Sequence, residues 1–452
     1  MHSPAGAGSR RLQPYSPAVP LYRSLVQPTS VVGTAAHFAA AGCQTRSVTP
    51  CALSGCATVP TAVLSARILG LLAAGLIISS CGSAGASKGD PRGALGAAPA
   101  MPATGSAPQG FHAVDLSWIS DDQGWAIGVE PGCNGQRCAT LLETTDGGTQ
   151  WVTVTDLHAC LLEAAPVGCP AGTTQLSSIR FANADLGYAF SSDGGPALAT
   201  TNGGLTWSLL PGREVSAIKV ASGTAVRASF SKGGCPGPCD WSIDQAVVGG
   251  SQWRTLLTPP ADVNHDRVVL LHQGPEYLYV AFLGAPQAGA GTQPAQLFIS
   301  TDAGASWTEL PDPCGQLRPG LVAAMLSSAP GGVLAALCAP RSGSGTQFVT
   351  VSTDAGANFG TLLPLPAAPS RYTELAIINP RTVFAAESGR QLVGTANGGR
   401  AWRVLARGGA PAAAPAPVFL GFESPTVGRW IAAGGVLWST TDGGGSWHPR
   451  RF

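Results

Sequence analysis

An eight-residue pattern returns six times along this chain and constrains the fold more than any other feature. It reads Ser/Thr-x-Asp/Asn-x-Gly-x-x-aromatic and stands at 144–151, 200–207, 300–307, 352–359, 395–402 and 440–447. A worn copy, Val248-Gly249-Gly250-Ser251-Gln252-Trp253, keeps the glycine and the tryptophan but not the polar positions. These are the residues of a tight turn between two strands. Asp or Asn accepts hydrogen bonds from turn amides, glycine supplies positive φ, and the first hydroxyl bonds locally. The aromatic opens the following strand, where its burial is expected to contribute about 2 to 3 kcal/mol per copy.

The closing aromatics are residues 151, 207, 253, 307, 359, 402 and 447, so the steps run from 43 to 56 residues. That spacing suits a four-stranded blade with variable loops. Upstream lies a second shared feature, Gly124-Trp125-Ala126 in the first unit and Gly187-Tyr188-Ala189 in the second. Each unit therefore reads as strands A and B, then C running into the octet, then D after it; the alternating residues around 141–144 and 150–154 fit C and D. A lone four-stranded sheet cannot bury both faces, so the units must stack radially. Seven units over residues 111–452 predict an all-β fold, a seven-bladed β-propeller of four-stranded antiparallel blades.

The octet resembles the Asp-box, or bacterial neuraminidase repeat, of sialidases, sortilin-type receptors and the photosystem II assembly and stability factor family. Gly-Trp-Ala followed by Thr-Thr-Asp-Gly-Gly is most similar to the last. The resemblance implies that the box lies on the outer rim between the third and fourth strands and is structural. Its residues here are Asp146, Trp151, Asn202, Trp207, Asp302, Trp307, Asp354, Phe359, Asn397, Trp402, Asp442 and Trp447. It also implies a propeller that holds a membrane-protein client during assembly. That family's client-binding arginine patch cannot be matched residue by residue in so arginine-poor a chain.

Only 11% of the 452 residues are charged, Lys plus Arg number 26 against 25 Asp plus Glu, and there are 60 Gly and 37 Pro. Many short strands joined by turns produce such numbers. With no basic excess or stripe, nucleic acid is set aside as a partner. Residues 1–61 are low in complexity, with scattered Cys43, Cys51 and Cys56, and are expected to be disordered or to precede a true translation start near Val59 or Val63. Arg10-Arg11 is followed by Gln13-Pro14, where a twin-arginine signal needs an apolar run.

Residues 62–80 look different. Arg67, the apolar run 68–78 and Ser79-Ser80 before Cys81 describe a secretory signal peptide, and Ile78-Ser79-Ser80-Cys81 resembles the bacterial lipobox. That resemblance implies cleavage before Cys81 and acylation, palmitate included, of its thiol and new amino end. The run is about half of the ~20 residues that span a bilayer, which disfavours a signal-anchor helix. Residues 81–110 are rich in Gly, Ala, Pro and Ser and read as a flexible tether to the membrane.

Eight cysteines follow Cys81. Their spacing suggests Cys133–Cys138, Cys160–Cys169, Cys235–Cys239 and Cys314–Cys338 disulfides in an oxidising compartment. Zinc ligation by Cys133/Cys138 and Cys235/Cys239 is the rival, weakened by their separation into different blades with no histidine nearby in sequence. On the blade scheme all eight fall in B-to-C loops, D-to-A crossovers or the end of a strand B, hence on the face opposite the octets. The longest insertions, 284–296 and 339–345, share that face. Enlarged, stapled loops on a rigid scaffold are where binding is expected, and Arg137, His158, Trp241 and Arg341 are exposed candidates there.

Catalysis is not expected, nor any cofactor or metal. A sialidase needs an arginine triad, a Tyr–Glu pair and an Asp, with its first arginine in an Arg-Ile-Pro motif; residues 111–143 hold only Arg137. Glu276-Tyr277 and Arg371-Tyr372-Thr373-Glu374 put Tyr near Glu, but strand neighbours face opposite ways. No zinc-protease or phosphate-loop motif occurs. The Gly-x-Ser-x-Gly match at 85–89 lies in the tether without a nucleophile elbow's strand and helix, and 262–266 lacks the Gly and Glu of a calcium loop. A protein-binding assembly or scaffold module, anchored on the extracytoplasmic side of the cell membrane, is the reading that remains. Glycan or cell-wall binding, or a sialidase-like hydrolase, is the alternative.

Overall fold

A computed structural model describes residues 106–130, 139–161, 173–231, 240–260, 267–283, 294–368, 370–387, 389–408 and 419–452. All lie in the second of the chain's two compact units, Arg92–Phe452. Cys81, the leader and most of the tether fall outside the described residues. Seven four-stranded antiparallel sheets follow one another along the chain, each hydrogen-bonded in A-B-C-D order. In blade one the strands are His112–Trp118, Gly124–Val129, Ala139–Thr144 and Val152–Asp156. Strand A of the other six is Ser178–Phe181, Glu214–Ala221, Arg267–Gln273, Leu321–Ala329, Tyr372–Asn379 and Phe419–Phe422. Each strand A touches the next, and that of blade seven touches that of blade one. The A strands therefore ring an axis and the D strands form the rim: a seven-bladed β-propeller.

Blades one and seven are each built from consecutive strands, so the ring closes without exchanging one. Side chains make the seam. Phe452 packs on Phe111 and Trp151, with ring centroids 5.3 and 5.0 Å apart. Arg429, buried in blade seven, donates to the Asp121 and Gly147 carbonyls of blade one at 2.9 and 3.3 Å. Its guanidinium also pairs with Glu423 at 2.9 Å and covers the Trp118 ring at 3.9 Å. Burial pushes the Glu423 carboxyl up, and the Arg429 charge pulls the other way. A pair this deep resists loss of either partner, because the survivor is left charged and unpaired.

Each intact octet closes the same circuit. In blade one the Thr144 hydroxyl donates to Asp146 Oδ1 at 2.9 Å and accepts the Gly148 N–H at 3.0 Å, while Asp146 Oδ1 accepts the Thr149 and Gln150 N–H groups, each at 2.9 Å. Asn202 and Asn397 serve the same role as the aspartates. The worn copy lacks the circuit; instead the Gly249 N–H donates to the Tyr188 hydroxyl of blade two at 3.1 Å. One expectation is corrected. Only Trp151 and Trp447 are buried, and the other five closing aromatics are half-buried, so about 2 to 3 kcal/mol is an upper bound for those five. Deeper aromatic packing lies at the glycine-aromatic pairs. Trp125 is fully buried and stacks on Phe181 of the next blade at 3.9 Å, and a Cβ on Gly124 would stand 2.4 Å from the Trp118 ring.

Candidate functional site: the stapled face and the axial channel

The A-to-B turns and the octets share one face, since octet amides reach back to those turns: Gly147 to Asp122, Gly203 to Asp185 and Gly443 to Thr426, at 2.8 to 2.9 Å. Antiparallel pairing puts the B-to-C loops and D-to-A crossovers on the other face. Cys314 and Cys338 are bridged there, with Cα atoms 5.4 Å apart across 24 residues. The bridge ties a one-turn helix, Pro313–Leu317, to strand B of blade five, Val333–Pro340. Asp312 caps that helix, accepting from the Cys314 and Gly315 N–H groups at 2.9 and 3.2 Å. Its carboxylate also accepts from Ala295 at 3.0 Å and Ala323 at 3.2 Å, so one side chain ties blade four to blade five. Cys160 is disulfide-bonded as well. Cys133, Cys138, Cys169, Cys235, Cys239 and Arg137 lie outside the described residues.

The remaining candidates come from blades one, three and five, and none joins another through any hydrogen bond, ion pair or ring contact among the described residues. His158 is exposed and takes a left-handed φ of 51°. Arg341 is half-buried, its backbone N–H on the Gly320 carbonyl at 3.0 Å. Trp241 corrects the expectation of exposure: it is buried, edge-on to Phe230 and Phe282 at 5.0 and 5.5 Å. It stands one residue before strand C, Ser242–Val247, and the blade core claims it.

What the linear sequence hides is the distribution of charge on this face. Blades four to six present Arg267, Arg318, Arg341, Arg371, Arg390 and Arg407 in their loops and strand ends. The last five stand on loops stitched to one another. Arg341 bonds to Gly320, the Arg371 guanidinium donates to the Gly343 carbonyl at 3.3 Å, Ser370 donates to Glu387, and Gly408 donates to the Arg390 carbonyl. Among the described residues, the acids in the loops and strand ends of this sector are Asp312 and Glu387. Both are buried, with carboxylates taken up by hydrogen bonds. Between Arg318 and Phe348, whose ring lies 5.6 Å from the guanidinium, opens a cleft of about 310 Å³. Blades one to three carry Glu130, Asp156, Asp193, Glu214 and Asp240 on the same face, Asp240 paired with Arg213 at 3.2 Å. Among the described residues, this face is basic over blades four to six and mainly acidic over blades one to three.

A second charged group lies on the axis. Asp115 of blade one accepts the Ile179 N–H at 2.9 Å and Arg180 Nη1 at 2.5 Å, satisfying the free inner edge of blade two. Lys219 of blade three feels Arg180, Asp115 and Glu374; Glu374 of blade six feels Arg267, Asp115 and Lys219. Blades three and six sit across the ring from each other, so a coupling of charge between them acts across the axis. Backbone bulges at 113/115 and 372/374 stand beside Asp115 and Glu374. Repulsion from Arg180, then burial, lowers Lys219 to about 7; burial raises Glu374 to about 7. The sequence carried no signal for this group, because its members lie up to 259 residues apart (115 to 374) and no two are neighbours.

Among the described residues, neither Tyr–Glu neighbour pair is joined by a side-chain hydrogen bond. Tyr372 is buried in the core between blades five and six, while Glu374 lies beyond a backbone bulge and is half-buried. Tyr277 stacks on Tyr279 at 6.4 Å. Among the described residues no group of three His, Cys, Asp or Glu side chains is placed to hold a metal ion.

No protein-family model matches the sequence, and no curated protein matches it. Solved structures share its shape. One described as YCF48 bound to D1 peptide is 20% identical, with a TM-score of 0.49 over 76% of this chain and 99% of that one. YCF48 from Cyanidioschyzon merolae is 16% identical, with a TM-score of 0.47 over 75% and 96%. An ancestral GH74 enzyme is 15% identical, with a TM-score of 0.49 over 78% of this chain and 47% of that one. The likeness is one of fold and selects no function.

Proposed function

We propose that this chain is an exported, lipid-anchored propeller whose stapled face docks a protein partner, as an assembly or scaffold factor without catalysis of its own. The observation that carries the reading is the basic sector of blades four to six: loops held by a disulfide and by backbone hydrogen bonds present arginines with no exposed acid among them in the described residues. Arginine offers a planar fork suited to carboxylates. A partner with an acidic segment fits that sector, and the acidic side of the same face turns away the wrong orientation, since like charges held against each other across an interface are costly. Acylation at Cys81 and the tether of residues 81–110 supply the membrane anchor in this reading, and the expected client is a membrane protein.

The test is capture from detergent-solubilised membranes by the acylated protein, beside a variant carrying Arg318→Glu, Arg390→Glu and Arg407→Glu. A protein captured by the parent, released by salt and lost with the triple reversal supports the docking role. A saturable glycan-array signal with no charge-sensitive protein capture sinks it in favour of glycan binding. Cys81→Ala should separately move the chain from the membrane to the soluble fraction.

A further inference from the structure

The cleft on the stapled face, about 310 Å³, lies between two stretches of chain that one disulfide holds together. Arg318 to Leu321, following the one-turn helix, form one wall; Pro340 and residues 345, 346 and 348, following strand B of blade five, form the other. Cys314 precedes the first wall by four residues and Cys338 precedes the second by two. The Arg341 N–H on the Gly320 carbonyl at 3.0 Å ties the walls a second time. The Arg318 backbone is fixed within this frame, its N–H on the Cys314 carbonyl at 3.0 Å. Its guanidinium lies 5.6 Å from the centre of the Phe348 ring, on the opposite wall, and has no hydrogen-bond or ion-pair partner among the described residues. The N–H groups of Gly320, Gly345 and Thr346 also lack a protein acceptor among those residues. Asp312 and Glu387, the acids of this sector, are buried and hydrogen-bonded, so no described carboxylate competes for these donors.

We propose that this cleft seats one glutamate or aspartate side chain of a partner's extended acidic segment, with its carboxylate on the Arg318 fork and its methylene stem against Phe348. The inference rests on the docking role above and names the point where that partner is read. A ring beside a guanidinium attracts it and restricts its plane, so less freedom is lost when the fork meets a planar anion. Two parallel N–H groups then match two carboxylate oxygens. Arg318 is the one charged side chain lining the cleft, which suits a single carboxylate over a dianion. The volume stands at the lower end for ligand sites, with room for one side chain and the adjoining backbone. Cys314 and Cys338 act as positioning residues: their bridge holds the wall carrying Arg318 at a set distance from the wall carrying Phe348, so the seat depends on the bond.

The test is fluorescence anisotropy of the full chain with a labelled octapeptide alternating glutamate and glycine, beside its glutamine counterpart. Saturable binding of the glutamate peptide alone is expected. Arg318→Lys keeps the charge but not the fork and should weaken binding by about fivefold or more, whereas Arg390→Lys, outside the cleft, should weaken it less than about twofold. Thr346→Trp fills the cleft from an exposed position, changes no charge and should weaken binding about tenfold. Replacing both cysteines with alanine should also weaken it about tenfold, and Arg318→Lys should then have little further effect, since the two changes act on one seat. Absence of saturable binding, equal affinity for the glutamine peptide, or equal losses from Arg318→Lys and Arg390→Lys would each overturn the assignment; additive losses would overturn the positioning role of the bridge. Arg318→Lys and Thr346→Trp decide the matter if the bridge-free chain does not fold. A loss with the triple reversal but not with Arg318→Lys removes the cleft and leaves the docking face standing.

Discussion

On the octet face six turns repeat one hydrogen-bond circuit almost atom for atom, whereas on the stapled face the loops differ in length, partners and charge. The contrast separates two kinds of constraint. An octet is solved locally: a hydroxyl, a carboxylate or amide and a glycine, all within eight residues, satisfy the amides of their own turn. A stapled loop is solved at a distance. Asp312 reaches Ala295 and Ala323 as well as its own helix, and Cys314 finds Cys338. Local solutions can be copied from blade to blade; distant ones are particular to each. The repeated face therefore holds the ring in shape, and the varied face is where partners can be told apart.

The largest effect expected from breaking that contrast is a single methyl group on each face. Gly444, in the last octet, has φ +85°, and a Cβ there would stand 2.2 Å from the Phe384 ring. Gly444→Ala combines a left-handed backbone with a clash in a packed core and should cost about 3 kcal/mol. Gly434, in a B-to-C loop of the stapled face, has nearly the same φ, +83°, with nothing within 4 Å of the added carbon. Gly434→Ala should cost only about 1 kcal/mol. Denaturant melts of the two variants decide it, and equal losses would mean that the octets are no more tightly packed than the loops opposite.

The staple is comparable in size and acts differently. Closing a loop of 24 residues is worth about 3 kcal/mol through the unfolded chain. Replacing Cys314 and Cys338 with alanine should lower the melting midpoint without altering the octets. Hydrogen exchange then gives the sharper readout. Protection should fall around 311–323 and 338–348 and hold at the Gly304 and Gly356 amides, which donate to Ser300 and Ser352. Faster exchange at those two amides would show that the faces are not independent.

How much of this was legible in the sequence follows the same division. Six octets and a worn seventh announced seven blades, and the glycine-aromatic step marked strand B, because local turn chemistry leaves its residues side by side. The Cys314–Cys338 pair was legible from spacing. Trp241 was misread, since one residue separates an exposed loop from a strand whose core takes the indole. The basic sector and the axial charges had no linear signature: Arg318, Arg341, Arg371, Arg390 and Arg407 stand 17 to 30 residues apart and are gathered only when consecutive blades turn their loops to one side. Composition pointed the other way, as 26 basic against 25 acidic residues average out a face that is split in two.

A gentler way to sharpen the comparison is acid. Asp302, Asp354 and Asp442 are held at about 2, chiefly by hydrogen bonds from Ser306, Asn358 and Ser446 respectively. A carboxyl lowered in the folded state lends stability that is present above its unfolded value near 4 and is lost as pH falls through the folded value. The octets of blades four, five and seven should therefore weaken between about pH 4 and pH 2, and that of blade one, where against the opposing effect of burial hydrogen bonds lower Asp146, should follow the same direction. Asn202 and Asn397 make the same turns with nothing to titrate. Changing these three aspartates and Asp146 to asparagine should flatten the melting temperature across that range while leaving it nearly unchanged at pH 7. A slope that survives these changes would place the acid sensitivity elsewhere, with the buried Asp244–Arg227 pair the next to examine.

The smallest effect on stability belongs to the residues on which the functional reading depends. Arg318, Arg390 and Arg407 are exposed; Arg318 caps the one-turn helix through its backbone N–H, which a side-chain change leaves in place, and exposed charges rarely move stability by more than about 0.5 kcal/mol. Their triple reversal to glutamate should leave the melt within that margin of the parent and abolish the charge-sensitive capture. The converse, Asp193→Lys on the acidic half, should be equally silent in the melt but should broaden capture, since it removes a repulsive element and adds an attractive one. The pairing of outcomes matters more than either alone. If reversal on the basic half destabilised the ring, those arginines would belong to the scaffold, and the distinction between a face that holds the shape and a face that reads partners would fail where it is needed.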